Sequence, residues 1–353
     1  MFGHSLLQKG GITSNVLGRY SRKSGELEGD RCGRGRTLNR DKLLLLKENI
    51  SKVIIGKEEV TDLLLTTLLA RGNCLIDDVP GVGKTKLANA LARSLGIDFK
   101  RIQFTPDLQP ADITGIYFYN QKEGEFQFRP GPVFTNILLA DEINRAVPRT
   151  QSSLLEAMEE QQVSIEGTIF PLASPFLVIA TQNPLELEGT FPLPEAQLDR
   201  FLLKIQMGYP TPSQEVEILG RFKQSDPLTE LEPVLDGAAI LALREEVTKV
   251  HLTPDLMDYI ARLAQATREN RHIRLGLSPR GSLALMRSAL AYAYLQGRDY
   301  VLPDDLKYLF PYVASHRLIL EYDSEYAETN KAELIGEILA KVPVPTEDVL
   351  HES

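Results

Sequence analysis

Two cysteines, Cys32 and Cys74, are too few for a disulfide framework, and tryptophan is absent from the 353 residues. A reducing compartment is therefore expected. Nowhere does the chain run to the ~20 consecutive apolar residues that a spanning helix needs. Its first residues hold no signal-type apolar stretch either, so a cytoplasmic protein is expected rather than a membrane-embedded or secreted one. Histidine is sparse: His4, His251, His272, His316 and His351 lie far apart without ligand spacing, which argues against a metal centre built on imidazoles. No Gly-x-Ser-x-Gly elbow and no dinucleotide-binding glycine fingerprint occurs. Basic residues are the minority, 39 against 48 acidic, for a net charge of −9, which argues against a dedicated nucleic-acid binder. What remains, 43% hydrophobic and 25% charged, suits a globular protein of about two domains.

Residues 1–37 stand apart. Glycine and arginine dominate them and no apolar periodicity runs through them, so a disordered basic tail without a function of its own is expected. The first 36 residues carry +4, which leaves −13 for the remainder. From residue 38 to 209, buried-strand runs at 73–77, 99–104, 135–140 and 175–181 alternate with helical stretches at 84–95 and 150–161, the pattern of a parallel sheet with crossover helices. Beyond Pro210-Thr-Pro212 the strand signals stop, and helices are expected at 213–222, 236–249, 254–269, 279–295 and 303–319. The fold class is thus α/β over 38–209 followed by an all-α lid over 210–320, with a polar tail over 321–353. Two hairpins are expected within the first part, 116–119 with 126–128 and 163–165 with 168–170.

Asp77-Asp-Val-Pro-Gly-Val-Gly-Lys-Thr85 follows a buried strand and opens a helix, the setting in which a glycine-rich run cradles phosphates. The backbone of Pro80, Gly81, Val82 and Gly83, with Lys84, Thr85 and Lys86, is expected to bind ATP. Lys84 would reach the β- and γ-phosphates, and the Thr85 hydroxyl would ligate Mg²⁺. The first glycine of the Walker A pattern falls on Asp78. Its charge and its Cβ are expected to weaken nucleotide binding about fivefold. Ile137-Leu-Leu-Ala-Asp-Glu142 is an apolar strand ending in two carboxylates. Asp141 would serve the Mg²⁺ shell and Glu142 would polarise a water.

Ala140-Asp-Glu-Ile-Asn-Arg-Ala146, Thr150-Gln-Ser-Ser-Leu-Leu-Glu-Ala-Met158, Ala180-Thr-Gln-Asn-Pro184 and Gly189-Thr-Phe-Pro-Leu-Pro-Glu-Ala-Gln-Leu-Asp-Arg-Phe201 resemble the MoxR-type AAA+ ATPases of the helix-2-insert clade. The resemblance spans about residues 41–320. It implies ATP hydrolysis by a ring, usually a hexamer, that remodels proteins or promotes their assembly or metal insertion. Partners with von Willebrand A domains are also implied. By the same resemblance Asn183 matches sensor 1 and Arg200 the arginine finger. Arg280, behind Ser278 and Pro279 at a helix start, matches sensor 2 and is expected to aim back at the phosphates. Ile55 and Gly56 match the segment flanking adenine. The first hairpin fits the clade's insert, and such hairpins face the pore or the substrate side. Two other readings stay open at this point: a motor acting on nucleic acid, and a nucleotide-gated scaffold that hydrolyses weakly.

Overall fold

The computed structural model describes residues 41–184, 189–223, 225–321 and 331–345; the expected tail over 1–37 lies outside them. Helix α1 (41–51) and α2 (Glu58–Leu69) lead into β1 (Cys74–Asp77), α3 (Lys84–Ser94), β2 (Phe99–Gln103) and the short α4 (Pro110–Thr114). The hairpin β3 (Gly115–Asn120) and β4 (Glu125–Pro130) follows, then β5 (Ile137–Asp141), α5 (Pro148–Glu160) and a second hairpin, β6 (Gln162–Ile165) and β7 (Thr168–Pro171). Strand β8 (Leu177–Gln182), α6 (Glu195–Leu198) and β9 (Leu203–Ile205) complete the core.

Among the described residues the central sheet has five parallel strands in the order β2-β5-β8-β1-β9. Its inner strands read as continuous apolar runs because helices cover both faces. Alternate residues serve different cores. Ile76, Ile137, Leu139, Leu177 and Ile179 join α2, α3 and the lid. Leu75, Leu138, Ala140, Val178 and Ala180 join Leu154, Leu155 and Met158 of α5. Strand β9 was not expected: three residues are too few to show a period.

Both expected hairpins form. Glu166 and Gly167 turn the second with φ of 50° and 81°, the primed geometry that tight hairpins favour. Phe128 of β4 stacks on Phe170 of β7 at 4.5 Å between centroids, which ties the two hairpins together. Tyr119 and Phe126 form an edge-to-face pair at 5.3 Å, and both are exposed.

The lid comprises α7 (Pro212–Phe222), α8 (Gly237–Val247), α9 (Pro254–Glu269), α10 (Pro279–Leu295) and α11 (Pro303–Ala314). Thr211, Thr253 and Ser278 each cap a helix that starts with proline, and Asp236 caps α8. Small buried residues of α10, among them Ala284, Ser288 and Ala291, let it pack along α2. Helix α11 stops at Ala314, short of the expected 319, because His316 and Arg317 turn inward and Ile319–Leu320 form β11 against β10 (Ile273–Leu275). The segment 321–353, expected as a polar tail, contains α12 (Lys331–Lys341). Leu334, Ile335 and Ile338 are spaced along one helical face and are buried against α9 and α11. Among the described residues no helix is long and apolar enough to cross a membrane.

Candidate active site

Strands β5, β8 and β1 are neighbours, and they end at Asp141, Gln182 and Asp77. Whatever follows them shares the carboxyl edge of the sheet, where ligands of open parallel sheets bind. In the loop after β1, Gly81 and Gly83 have φ of 88° and 99°, a conformation costly for any residue with a Cβ. A Cβ at either would meet nothing within 4 Å, so the loop is an open cradle. Gly83 is the N-cap of α3, which directs first-turn N–H groups into the cradle. The buried Lys84 crosses it and donates from Nζ to the Asp78 carbonyl at 2.8 Å. Pro80 and Val82 complete the loop and Thr85 follows Lys84 in the first turn of the helix.

Asp78 does not face the cradle. Its Oδ2 accepts the Met207 and Gly208 N–H groups at 2.7 and 2.6 Å, and its Oδ1 accepts the Val79 N–H at 2.8 Å. Its φ is not in the left-handed region. The expected strain and repulsion therefore lack a structural basis: the carboxylate satisfies main-chain donors where the chain leaves β9. The Lys86 side chain also departs from expectation. It pairs with Asp226 at 2.5 Å and lies over the Phe222 ring, and that hydrogen bond holds the Asp226 carboxyl below its ordinary range. Ile55 is buried. Gly56 (φ 65°) approaches Gln214 so closely that a Cβ would overlap the amide. Lys57 donates to the Met207 carbonyl at 2.6 Å, so 55–57 and 207–214 are clipped together beside the loop.

Across β8, Asp141 Oδ1 accepts the Thr181 hydroxyl at 2.6 Å, and Thr181 Oγ1 in turn accepts the Glu142 N–H at 2.9 Å. Glu142 sits at φ 57°, ψ 50°, which costs a non-glycine residue about 1–2 kcal/mol. Such strain persists where the surroundings over-determine a conformation, as at active sites. Its Oε2 accepts from Gln103 Nε2 at 2.8 Å and pairs with Arg145 at 3.1 Å. Arg101 holds Asp141 Oδ2 at 2.7 Å. Asn183 is buried directly after β8 on the same edge. Thr181, Arg101 and Gln103 were not anticipated. Arg101 and Gln103 alternate on β2, but only the register Gln103↔Asp141 brings them to the carboxylates. The oxygen donors of Thr85 and Asp141, beside an open anion cradle, suit Mg²⁺ accompanying a nucleotide.

Arg200 and Arg280 lie elsewhere. Arg200 precedes β9, and β9 pairs with β1 in parallel with Leu203 opposite Cys74. Arg200 thus sits at the amino edge of the sheet, beside Arg71, Gly72 and Asn73 in a cleft of about 480 Å³. Four strand residues span ~13 Å, so the chain's own phosphate loop is at the far end of β1. Arg280 lines the same cleft, so the structure does not bring it to the phosphate loop of its own chain. Both arginines pair with Glu159 of α5, Arg200 at 3.0 Å. Arg200 also donates to the Leu155 carbonyl at 2.9 Å. The cause is the docking of α10: Ser278, its N-cap, donates to Asp199 Oδ2 at 3.0 Å and fixes the helix start at this edge.

A parallel sheet with this strand order, a phosphate cradle, paired carboxylates on the next strand but one and a helical lid define an AAA-type nucleotide-binding core. In agreement, residues 73–203 match the ATPase family associated with various cellular activities (AAA), and 265–338 match the AAA lid domain. The chain is 50% identical over 300 residues to the Uncharacterized protein YeaC of Bacillus subtilis, covering 85% of this chain and 94% of that one. It is 43% identical over 305 residues to Chaperone MoxR1 of Mycobacterium tuberculosis, covering 84% and 80%. It is 32% identical over 332 residues to Protein MoxR of Methylorubrum extorquens, covering 87% and 96%. A solved structure from Cytophaga hutchinsonii, described as a candidate ATPase, superposes with a TM-score of 0.85 at 39% identity, covering 91% of this chain and all of that one. The chain belongs to the MoxR family of AAA+ ATPases.

Proposed function

We propose that the protein binds ATP with Mg²⁺ and hydrolyses it between neighbouring copies in a ring, a hexamer by family resemblance. In this reading the α/β core over 38–209 holds the nucleotide and the lid over 210–320 moves with it. The single observation that carries it is the split of the machinery. Lys84, Asp141, Glu142 and Asn183 occupy the carboxyl edge, whereas Arg200 and Arg280 occupy the amino edge beside Glu159. One chain alone is an incomplete site, and two adjacent chains complete it.

Lys84 and the loop N–H groups hold the β- and γ-phosphates, and Ile55 and Gly56 border the base. Thr85 and Asp141 would hold Mg²⁺, which would supply neutralisation of phosphate charge. Asn183 orients a water beside Glu142. The water's oxygen forms the new bond to the γ-phosphorus while the bond to the β–γ bridging oxygen breaks, and ADP leaves with the electron pair. Glu142 takes the water proton and returns it to the released phosphate. Arg200 of the adjacent copy, with Arg280, meets the transition-state charge.

The work is remodelling of a protein client, or assistance to its assembly or metal loading, with von Willebrand A domain proteins as candidate clients by family resemblance. The relative from M. tuberculosis bears the name chaperone. The exposed Tyr119–Phe126 pair at the hairpin tip offers apolar surface to a polypeptide, whereas only Lys122 and Arg129 could offer that hairpin charge for nucleic acid. The cytoplasm, where ATP is supplied, is the compartment this reading requires. Turnover should rise faster than linearly with protein concentration, and Arg200→Ala should cost ~10³-fold. Mixing Arg200→Ala with Lys84→Ala should restore part of the activity. Linear activity without rescue on mixing would sink the shared site, and stimulation by single-stranded DNA would turn the reading towards a nucleic-acid motor.

A further inference from the structure

Behind Arg200 lies a second arginine that hardly reaches solvent. Arg317 follows α11 and is 5% exposed. Its Nε donates to Asp199 Oδ1 at 2.7 Å. Its Nη1 donates to the carbonyls of Val313 at 2.5 Å and Leu202 at 3.2 Å. Its Nη2 donates to the carbonyls of Phe201 at 2.5 Å and Asp199 at 3.2 Å. Three of these acceptors are main-chain carbonyls of 199–202, the turn that carries Arg200. The other oxygen of Asp199 accepts from Ser278, two residues before Arg280. His316 fills the same turn, with Nε2 3.1 Å from the Phe201 carbonyl.

An apolar side chain would fill this place without the desolvation cost of a buried charge. What a guanidinium adds is a planar fork that fixes several acceptors at once, which the three donors of a lysine cannot reproduce. The acceptors fixed here belong to one turn of the core, and Asp199 passes the constraint to one helix of the lid. Arg317 and Asp199 line the cleft at the amino edge with Arg200 and Arg280.

We propose that Arg317 is a positioning residue: with Asp199 it locks the 199–202 turn to the start of α10, so that Arg200 and Arg280 meet a neighbour's nucleotide as one unit and lid movement is transmitted to the finger. The proposal rests on the reading of Arg200 as a finger acting in trans. Its distinctive consequence is that damage to the pin should be felt only through Arg200 and Arg280 and only by the neighbour.

The test uses the full chain with two variants, Arg317→Lys and the milder Asp199→Asn, whose side chain is 22% exposed. Misplacement of a positioned group by ~1 Å can cost ~10²-fold, so each variant should lose about 10- to 100-fold in turnover at saturating ATP. Binding of a fluorescent ATP analogue should stay within about twofold of the parent. In a background carrying both Arg200→Ala and Arg280→Ala neither change should cost anything further. Mixing either variant with Lys84→Ala, which has an intact finger and a broken cradle, should restore activity. A loss that multiplies with that of the Arg200→Ala, Arg280→Ala double variant, or turnover of both variants near the parent while Arg200→Ala is inactive, overturns the proposal alone. Loss of helical circular dichroism in both variants would also overturn it, because it would make the pair a folding element. Full activity of Arg200→Ala removes the finger reading itself, a distinguishable failure.

Discussion

Asp78→Gly removes a carboxylate that accepts three main-chain N–H groups, those of Val79, Met207 and Gly208. Hydrogen bonds to a charged group contribute about 1.5–3 kcal/mol each. The Val79 bond is local, and water can replace it. The other two join the phosphate loop to residues almost 130 positions later, and Met207 is only 5% exposed, so its N–H would lose its partner without regaining water. Gly208 is exposed and can rehydrate. A loss of about 2–3 kcal/mol is expected from these bonds, and the added glycine contributes about 0.5–1 kcal/mol through the unfolded chain. At about 2 °C per kcal/mol for a chain of this size, the melting temperature should fall by roughly 6 °C. Asp78→Asn keeps one acceptor oxygen without the charge and should lose about half as much. Affinity for ATP should be unchanged or weaker in both, because Met207 also receives Lys57 beside the cradle. Thermal melts by circular dichroism and ATP titrations at two salt concentrations measure this. ATP binding about fivefold tighter in Asp78→Gly, with an unchanged melting temperature, would refute the reasoning and restore the picture of a charge facing the phosphates.

Glu142→Gln should retain ATP binding and lose ~10²–10⁴-fold in turnover, because a neutral amide still accepts from Gln103 but cannot take the water proton; turnover within about threefold of the parent would remove Glu142 from the role. His316 is held neutral well below its ordinary value of 6.5, by burial first and then by the Arg317 charge, with Lys204 and Lys331 adding to it. The unfolded chain takes up that proton near pH 6.5 and the folded chain does not, so stability falls as pH drops below 6.5, by up to about 1.4 kcal/mol per unit. In His316→Gln the melting temperature should therefore fall less steeply between pH of about 7.5 and 5.5, and equal slopes in parent and variant would contradict the assignment.

The phosphate loop and the Asp141–Glu142 pair were legible in the sequence because their chemistry is contiguous. A strand, a glycine turn and a helix start fix the direction of Lys84 within a few residues. Ser278 and Pro279 marked the start of α10 for the same reason. Long apolar runs made the inner strands visible, since burial on both faces leaves no alternation to misread. Strand β9 and α12 were missed: one is three residues long, and the other carries its apolar face as Leu334, Ile335 and Ile338 amid Lys and Glu residues that make the segment read as polar.

Composition and local pattern thus determined the class of fold and the half of the site that one strand-turn-helix unit builds. Tertiary structure decided which residues meet across long separations. The register of β2 on β5 brought Gln103 and Arg101 to the carboxylates. The course of the chain after β9 drew Asp78 away from the cradle. The docking of α10 carried Arg280 to the edge opposite the one its motif suggested. For Asp78 the deciding energy is the satisfaction of the buried Met207 donor; in the other two cases strand register and helix docking choose partners distant in sequence. Local propensity carries no record of such pairing, because it exists only once the elements have packed.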